Sequence, residues 1–315
     1  MMMKSLQGMT RKLTAIGTFL VLTGALQSCF TGVEGTSKIS LSKKEMTAVA
    51  PTQEDLFLAD IVPTQLKDWK RGMPFLVTDD KFRLIIENYG GARVSEGDTV
   101  RFQSAESRYG ADGSEQTVLL FEESGNHFAY IIEKDPRTSS EQFKASDIPM
   151  LISLDVVEAA NSKMQGKKFW TRTALWYGDS TEYIKGRKFV AVNVDEVGPG
   201  NAFFPLFVKF HDEEGKEGRL LMNIGSAGND SRNFGKLFSL TDPRNNYKNL
   251  TEENWRAIQT EDVRLGMTKE ECRLSRGNPS DVDLGHNYSN AMEIWYYPNG
   301  SYLRFVDGLL VSFKN

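Results

Sequence analysis

The middle of the chain is a series of short runs in which apolar and polar residues alternate. One set comprises Val100-Arg101-Phe102, Thr117–Phe121 and Phe128–Ile132, with acidic and glycine-containing turns between the runs. A period of two residues, with many β-branched and aromatic side chains, is typical of half-buried β-strands. Short strands at this close spacing predict a compact antiparallel barrel or sandwich.

A second set of runs repeats the first in the same order. It comprises Phe189–Val192, Pro205–Phe210 and Leu220–Ile224, and an acidic turn with glycine again follows the second run. The repeat favours an internal duplication, although any two all-β segments share alternation and glycine turns. We therefore predict a mainly β protein with two tandem small antiparallel β-barrel domains of the SH3-like kind, over residues 52–148 and 149–245.

The last part of the chain, residues 246–315, begins with helical signals and then returns to strands. Thr251 precedes an acidic first turn as an N-cap, and Thr268 with Glu271 forms a capping box. Two turn signals then separate three apolar runs, which are Glu293–Tyr297, Ser301–Phe305 and Leu309–Phe313. The pattern predicts a C-terminal α+β unit with two helices followed by three strands.

Four motifs of this unit resemble the BamE-type (SmpA/OmlA) outer-membrane assembly lipoproteins. They are Gly266–Glu271, Gly277-Asn278-Pro279, Trp295–Tyr297 and Leu303–Leu309. The resemblance covers roughly residues 250–315 and implies that the two helices pack on a three-stranded sheet. That family is usually a single small domain, whereas here the unit follows two others.

The N-terminus carries a different pattern, an unbroken apolar run of 13 residues from Thr14 to Leu26. Basic residues precede it and Gln27-Ser28-Cys29 follows it. The run is shorter than the roughly 20 residues that span a bilayer, and it has the basic, apolar and small-residue regions of a secretory signal. Because a cysteine stands at the cleavage point, the segment resembles a bacterial lipobox. We predict that residues 1–28 are a lipoprotein signal peptide.

Acylation of Cys29 would make the membrane itself a partner of the protein. Two or more acyl chains hold a protein firmly to a bilayer. Residues 29–51 are small and polar, so we expect a flexible tether. No obvious inner-membrane retention residue follows Cys29, which favours the outer membrane of a bacterial cell envelope. The alternatives are a plain secretory signal with a chance cysteine and a start at Met9.

Charge and cysteine content narrow the possible functions. The formal net charge is −4, and removing the basic leader leaves about −7. An acidic chain without a basic cluster disfavours nucleic acid as a partner. The chain has 2 cysteines, so acylation of Cys29 would leave Cys272 without an intramolecular disulfide partner. The fold must then depend on its apolar core.

The sequence offers few residues for catalysis. The 3 histidines, His127, His211 and His286, lie in different units and lack metal-ligand spacing, so we predict neither a metal nor a cofactor. No serine or cysteine motif has the spacing of an activated nucleophile. We therefore expect a non-enzymatic protein. The alternative is an envelope hydrolase or glycan-modifying enzyme whose scattered carboxylates meet only in space.

Aromatic side chains are dense in the second and third units. Trp176, Tyr177, Trp295 and Tyr297 are the candidate interface residues, because Trp and Tyr bury much area with few rotors to freeze. Trp295 and Tyr297 share one strand face and Tyr296 takes the other. We expect a membrane-anchored lipoprotein that binds or scaffolds an envelope protein. The alternatives for these aromatics are a core shared by adjoining domains and a glycan-binding module.

Overall fold

Most of the fold consists of antiparallel β-sheets, which follow one another along the chain. The computed structural model describes residues 51–89, 93–178, 182–224, 232–287 and 290–315. The predicted signal peptide, Cys29 and the predicted tether up to residue 50 lie outside the described residues. Across the described ranges, the helices are all too short or too polar to span a bilayer.

The first sheet has six strands in the order β2-β5-β4-β3-β1-β6. Its strands are β1 Pro74–Val77, β2 Ile86–Tyr89, β3 Thr99–Tyr109, β4 Glu115–Glu123, β5 Asn126–Ile132 and β6 Leu151–Ser153. The inward positions of the long strands are apolar, so alternate residues build an aromatic core around Phe75, Phe121 and Phe128. Phe121 stacks on Phe128 with ring centroids 5.6 Å apart.

The second sheet has seven strands in the order β13-β7-β10-β11-β12-β8-β9. Its strands are β7 Lys168–Thr171, β8 Leu175–Tyr177, β9 Tyr183–Lys185, β10 Ala191–Pro199, β11 Leu206–Asp212, β12 Glu217–Met222 and β13 Phe238–Ser239. Strand β11 alternates strictly between buried and less buried positions, and β10 does so as far as the register shift between Val194 and Glu196. Their inward side chains form one face of the second core.

Short helices lie between the strands along the chain. They are α1 Gln53–Leu56, α2 Pro136–Gln142, α3 Leu154–Met164, α4 Phe234–Leu237, α5 Glu252–Gln259 and α6 Lys269–Arg276. Single 3-10 turns cover Leu66–Asp68, Asp80–Leu84, Ala145–Asp147 and Pro243–Asn246. Helix α3 buries Val156, Val157, Ala160 and Met164, which recur at helical spacing, and this stripe packs in the second core.

Two segments cross the sequence position at which the first two units were expected to divide. Strand β6 follows residue 148, but it pairs with β1 and belongs to the first sheet. In the other direction, Leu58 and Ile61 lie before the first sheet but pack in the second core. Hydrogen bonds from Ser239 Oγ and Leu240 N to the Glu54 carboxylate, each 3.2 Å, fix this early segment on the second sheet. The first two sheets are therefore interlocked.

The third sheet has four strands in the order β14-β15-β16-β17. They are β14 Asp281–Asn287, β15 Asn290–Tyr296, β16 Tyr302–Val306 and β17 Leu309–Lys314. Helices α5 and α6 supply Ile258 and Cys272 to a core whose sheet side chains include Trp295 and Leu303. One face of this sheet is thereby covered.

The predicted fold is wrong in its third unit, because the C-terminal sheet has four strands and not three. The strand that the sequence did not reveal is β14. It contains Asp283 and Gly285, two residue types that are depleted in strands, and only two alternating apolar positions. Pairing with β15 along its whole length holds this edge strand in the sheet, and a local sequence pattern does not report such a tertiary contact.

The prediction of small SH3-like barrels also needs correction. The first two sheets are curled half-barrels. Each has two end strands that are not neighbours, β2 and β6 in the first sheet and β13 and β9 in the second. The alternating pattern specifies which side of a strand faces the core, but it does not specify closure of the sheet.

Candidate functional site

The side of the third sheet opposite α5 and α6 is an apolar surface at the C-terminal end of the chain. We call it the open face and define it by Met292, Ile294, Tyr296, Tyr302, Val306 and Leu309. Tyr296 is 40% exposed and Leu309 47% exposed, and the other four side chains are half-buried. Contiguous exposed apolar residues on a folded protein mark an interaction site more often than isolated ones do.

Strand register arranges the open face in rows that cross all four strands. One row runs Asp281, Tyr296, Tyr302, Lys314, and the next runs Asp283, Ile294, Arg304, Ser312. Both acidic residues lie on the edge strand β14, and the two basic residues lie on β16 and β17. Negative charge therefore lies at the β14 edge of the open face and Lys314 lies at its β17 edge, while Arg304 stands between them on β16.

Arg304 partly covers the apolar side chains of the open face. Its Nη2 donates a 3.4 Å hydrogen bond to Met292 Sδ across the face. Long side chains of this kind can lay their aliphatic stem on apolar surface while the charged end stays in water. The side chain thus shields part of the face from solvent.

The covered face of the same sheet is organised differently. Lys269 Nζ lies 2.6 Å from the Glu293 carboxylate, and Trp295 Nε1 donates to the same carboxylate at 3.1 Å. The hydrogen bond from Lys269 holds the pKa of Glu293 below its usual value, against a smaller opposing effect of burial. These contacts tie α6 to β15, so this polar group serves packing.

Trp176 and Trp295, two of the expected interface residues, lie in hydrophobic cores. Trp176 is fully buried against Phe210, and a Cβ on Gly186 would lie 2.2 Å from its indole ring. Trp295 is 2% exposed and packs on Phe305 at a centroid distance of 4.7 Å. Both indoles are used inside the fold and offer no surface to a partner.

Tyr177 and Tyr297, the other two, are half-buried. Tyr177 stacks on Tyr183 with centroids 4.2 Å apart, and their hydroxyl groups are hydrogen-bonded at 2.8 Å. Tyr297 lies on the helix side, where its hydroxyl donates to Gly277 O at 3.3 Å and burial raises its pKa to about 12. The four expected residues are thus not brought together in one site.

The residues of the open face are not among the four interface residues predicted from the sequence. A signal for them is present in the sequence. Strands β15 and β16 carry apolar residues in both phases, as in Met292-Glu293-Ile294-Trp295-Tyr296. A sheet with one face in water normally alternates between apolar and polar residues. A nearly continuous apolar run in such a strand therefore indicates that its second face is also buried in a contact.

Titratable groups do not form a metal site in the described parts of the chain. There, no three or more His, Cys, Asp or Glu side chains are grouped so that they could hold a metal ion. Cys272 is fully buried, and burial raises the pKa of its thiol to about 12, so the thiol stays protonated at neutral pH.

The chain matches no protein-family model, and comparison with curated proteins and with solved structures found no similar protein. The resemblance of residues 250–315 to the BamE-type lipoproteins therefore stays a prediction.

Proposed function

We propose that this protein is a non-catalytic, lipid-anchored lipoprotein of the bacterial cell envelope that docks a folded protein partner on the open face. The observation that carries the proposal is the row across the C-terminal sheet in which Tyr296 and Tyr302 lie between Asp281 at one edge and Lys314 at the other. The lipobox-like segment ending at Cys29 supports the anchor and an outer-membrane location.

The charge pattern defines the chemistry of the partner. An apolar patch would cover Ile294, Tyr296 and Tyr302, with basic side chains opposite Asp281 and acidic ones opposite Lys314. Apolar contact supplies affinity, whereas complementary charge sets orientation and association rate. We therefore expect binding to weaken as salt is raised.

The rival hydrolase function has less support from the described carboxylates. A general acid at neutral pH needs a carboxyl group with a raised pKa. Seven described carboxyl groups have a pKa below the ordinary value, namely Glu54, Asp55, Asp60, Asp112, Asp135, Glu252 and Glu293. Their hydrogen-bond partners favour the ionised form, which suits structural roles.

Site-specific photo-crosslinking in living bacteria tests the docking surface. A photoreactive phenylalanine analogue replaces Tyr296, and in a matched control it replaces Tyr109, which is 72% exposed on the first sheet. We expect one discrete protein adduct from position 296 and none from position 109. The adduct yield should fall when the substitution Asp283→Lys or Arg304→Glu reverses the sign of one charge on the open face.

Three outcomes would contradict the proposal. The first is the absence of an adduct at position 296, and the second is an adduct with another copy of this chain. The third is an adduct whose yield is unaffected by either charge reversal. Labelling with a palmitate analogue, with Cys29→Ala as the control, separately tests the anchor. Loss of labelling in that variant is expected.

A further inference from the structure

The two edges of the C-terminal sheet differ in how they are covered. At β17, Leu310 N donates to Met267 O and Leu310 O accepts from Gly266 N, each at 2.8 Å, so a neighbouring segment of the chain occupies that edge. On the outer side of β14, by contrast, the described residues place neither a strand nor a bridge. We call the outer side of residues 281–284 the β14 edge.

Backbone groups of alternate residues point outward at the β14 edge. Ser280 N donates to Tyr296 O at 2.8 Å, so Tyr296 faces β14, and its register partner Asp281 faces β15 in return. Since successive residues of an antiparallel strand turn their backbone groups to opposite sides, Val282 and Leu284 face outward. Val282 N accordingly donates to the Asp281 carboxylate at 2.9 Å and not to a strand. The outward groups are therefore accessible to an added strand.

Strand β14 lacks most of the features that keep natural edge strands from pairing, which are a short length, proline, lysine and bulges. It has seven residues, Asp281–Asn287, without proline or lysine, and it pairs with β15 without a register shift. Its acidic residues are Asp281 and Asp283, and both are exposed. An edge of this kind is a template for an extended segment of another chain.

The side chains of the β14 edge alternate between acidic and apolar. Asp281 and Asp283 lie on the side of the open face, and neither forms an ion pair with another described residue. Val282 and Leu284 lie on the opposite side, where they remain 42% and 61% exposed. A strand added here would gain most from basic residues opposite the carboxylates and apolar residues opposite Val282 and Leu284.

The two carboxylates also disfavour a second copy of this chain as the occupant. Antiparallel pairing of two β14 strands would put the carboxylates of both copies on one face of the joined sheet, and like charges across strands are destabilising. A basic segment is attracted by the same carboxylates, and this complementarity sets its orientation.

We propose that the β14 edge binds an extended segment of the partner protein, which joins the sheet as an added antiparallel strand of alternating basic and apolar residues. The basic side chains face Asp281 and Asp283, and the apolar side chains cover Val282 and Leu284. This mode of binding rests on the proposed function, since the same carboxylates lie at the margin of the open face, and it names the part of the partner that is held.

Three labelled peptides of seven residues, the length of β14, test the mode of binding on the purified full-length chain by fluorescence anisotropy. The first alternates lysine and valine, the second has glutamate in place of lysine, and the third has proline in place of valine. A valine opposite Val282 or Leu284 presents its N–H to the edge, so proline removes the groups that pair. We expect the first to bind, the second to bind at least roughly tenfold more weakly, and the third not to bind.

Two outcomes of the peptide titrations would overturn strand addition. Equal binding by the lysine–proline and lysine–valine peptides would show that charge alone attracts them. Absence of binding by all three peptides would show that the edge accepts no added strand.

Variants of the β14 edge tie the binding to this place. Leu284→Pro removes an outward N–H, and proline is tolerated on an edge strand where the N–H faces solvent. We expect it to bind the lysine–valine peptide at least roughly tenfold more weakly, whereas the control Leu284→Val keeps the N–H and should change the affinity less than about threefold. Asp283→Asn keeps the shape without the charge and should weaken binding about threefold. Binding by Leu284→Pro equal to that of the parent would overturn the site, and circular dichroism checks the fold of each variant.

The crosslinking experiment distinguishes strand addition from docking on the open face. An undiminished adduct at position 296 in Leu284→Pro would overturn strand addition and leave docking standing. Peptide binding without any adduct at position 296 would overturn docking and support strand addition. Sedimentation of the full-length chain as a dimer that Leu284→Pro dissociates would make a second copy the occupant and overturn the basic partner segment.

Discussion

The two faces of the C-terminal sheet are built from the same four strands but differ in how far they are covered. On the covered face, Trp295, Leu303 and Phe305 are buried under α5 and α6. On the open face, Ile294, Tyr296 and Tyr302 keep part of their surface in water. Adjacent residues such as Trp295 and Tyr296 thus have opposite environments. The difference teaches that full burial of an apolar side chain in this sheet requires cover from the helices.

The largest expected effect is the loss of Trp295 from the covered face. Trp295→Ala removes a fully packed indole that contacts Phe305 and lies 5.0 Å below the Arg273 guanidinium. We expect a loss of about 3–5 kcal/mol in unfolding free energy, measured by urea unfolding with circular dichroism. A loss below ~1 kcal/mol would show that the helices do not close this face.

The buried thiol of the same face comes next. Cys272→Ser keeps the size of the side chain but places a hydroxyl where Cys272 is fully buried. We expect a loss of about 1–3 kcal/mol, because the hydroxyl must give up its hydrogen bonds to water. Cys272→Ala is the control, with a smaller expected loss. An unfolding free energy of Cys272→Ser equal to that of the parent would show that water reaches position 272.

A pH-dependent effect should follow from Glu293. Its pKa is lower in the folded chain than its ordinary value, so the ionised form stabilises the fold above that value and the contribution is lost as pH falls through the folded pKa. Glu293→Gln should therefore cost up to about 1 kcal/mol at pH 7. The difference between variant and parent should shrink as pH falls below the ordinary value of 4.5 and vanish once pH is below the folded pKa. A difference in unfolding free energy that stays constant as pH is lowered through this whole range would exclude this ion pair as the cause.

The smallest effect on stability belongs to the open face. Tyr296→Ser changes an exposed side chain, so we expect a change within about 0.5 kcal/mol in the same urea experiment. Its effect should appear instead as loss of partner binding. A stability loss as large as that of Trp295→Ala would show that the open face is part of the core.

Several features of the fold could be predicted from local sequence. The alternation at Phe121 and Phe128 specifies which side of β4 and β5 enters the core, and the capping box of Thr268 and Glu271 begins α6 as expected. Strand β14 could not be predicted, because it contains Asp283 and Gly285 and depends on pairing with β15. The open face could be inferred from the apolar residues in both phases of β15 and β16. No local pattern indicates that β6 pairs in the first sheet or that the segment around α1 packs in the second core.

The sequence by itself therefore determined the β-rich character of the described fold, the capping box that begins α6, and which side of β4 and β5 enters the core, because these depend on residues close together in the chain. Only the tertiary structure decided the number of strands in the last sheet, the half-barrel form of the first two, and the burial of Trp176 and Trp295. The physical reason is that strand pairing and burial depend on segments far apart in the sequence. Each segment is compatible with several neighbours, and packing of the whole chain selects one of them.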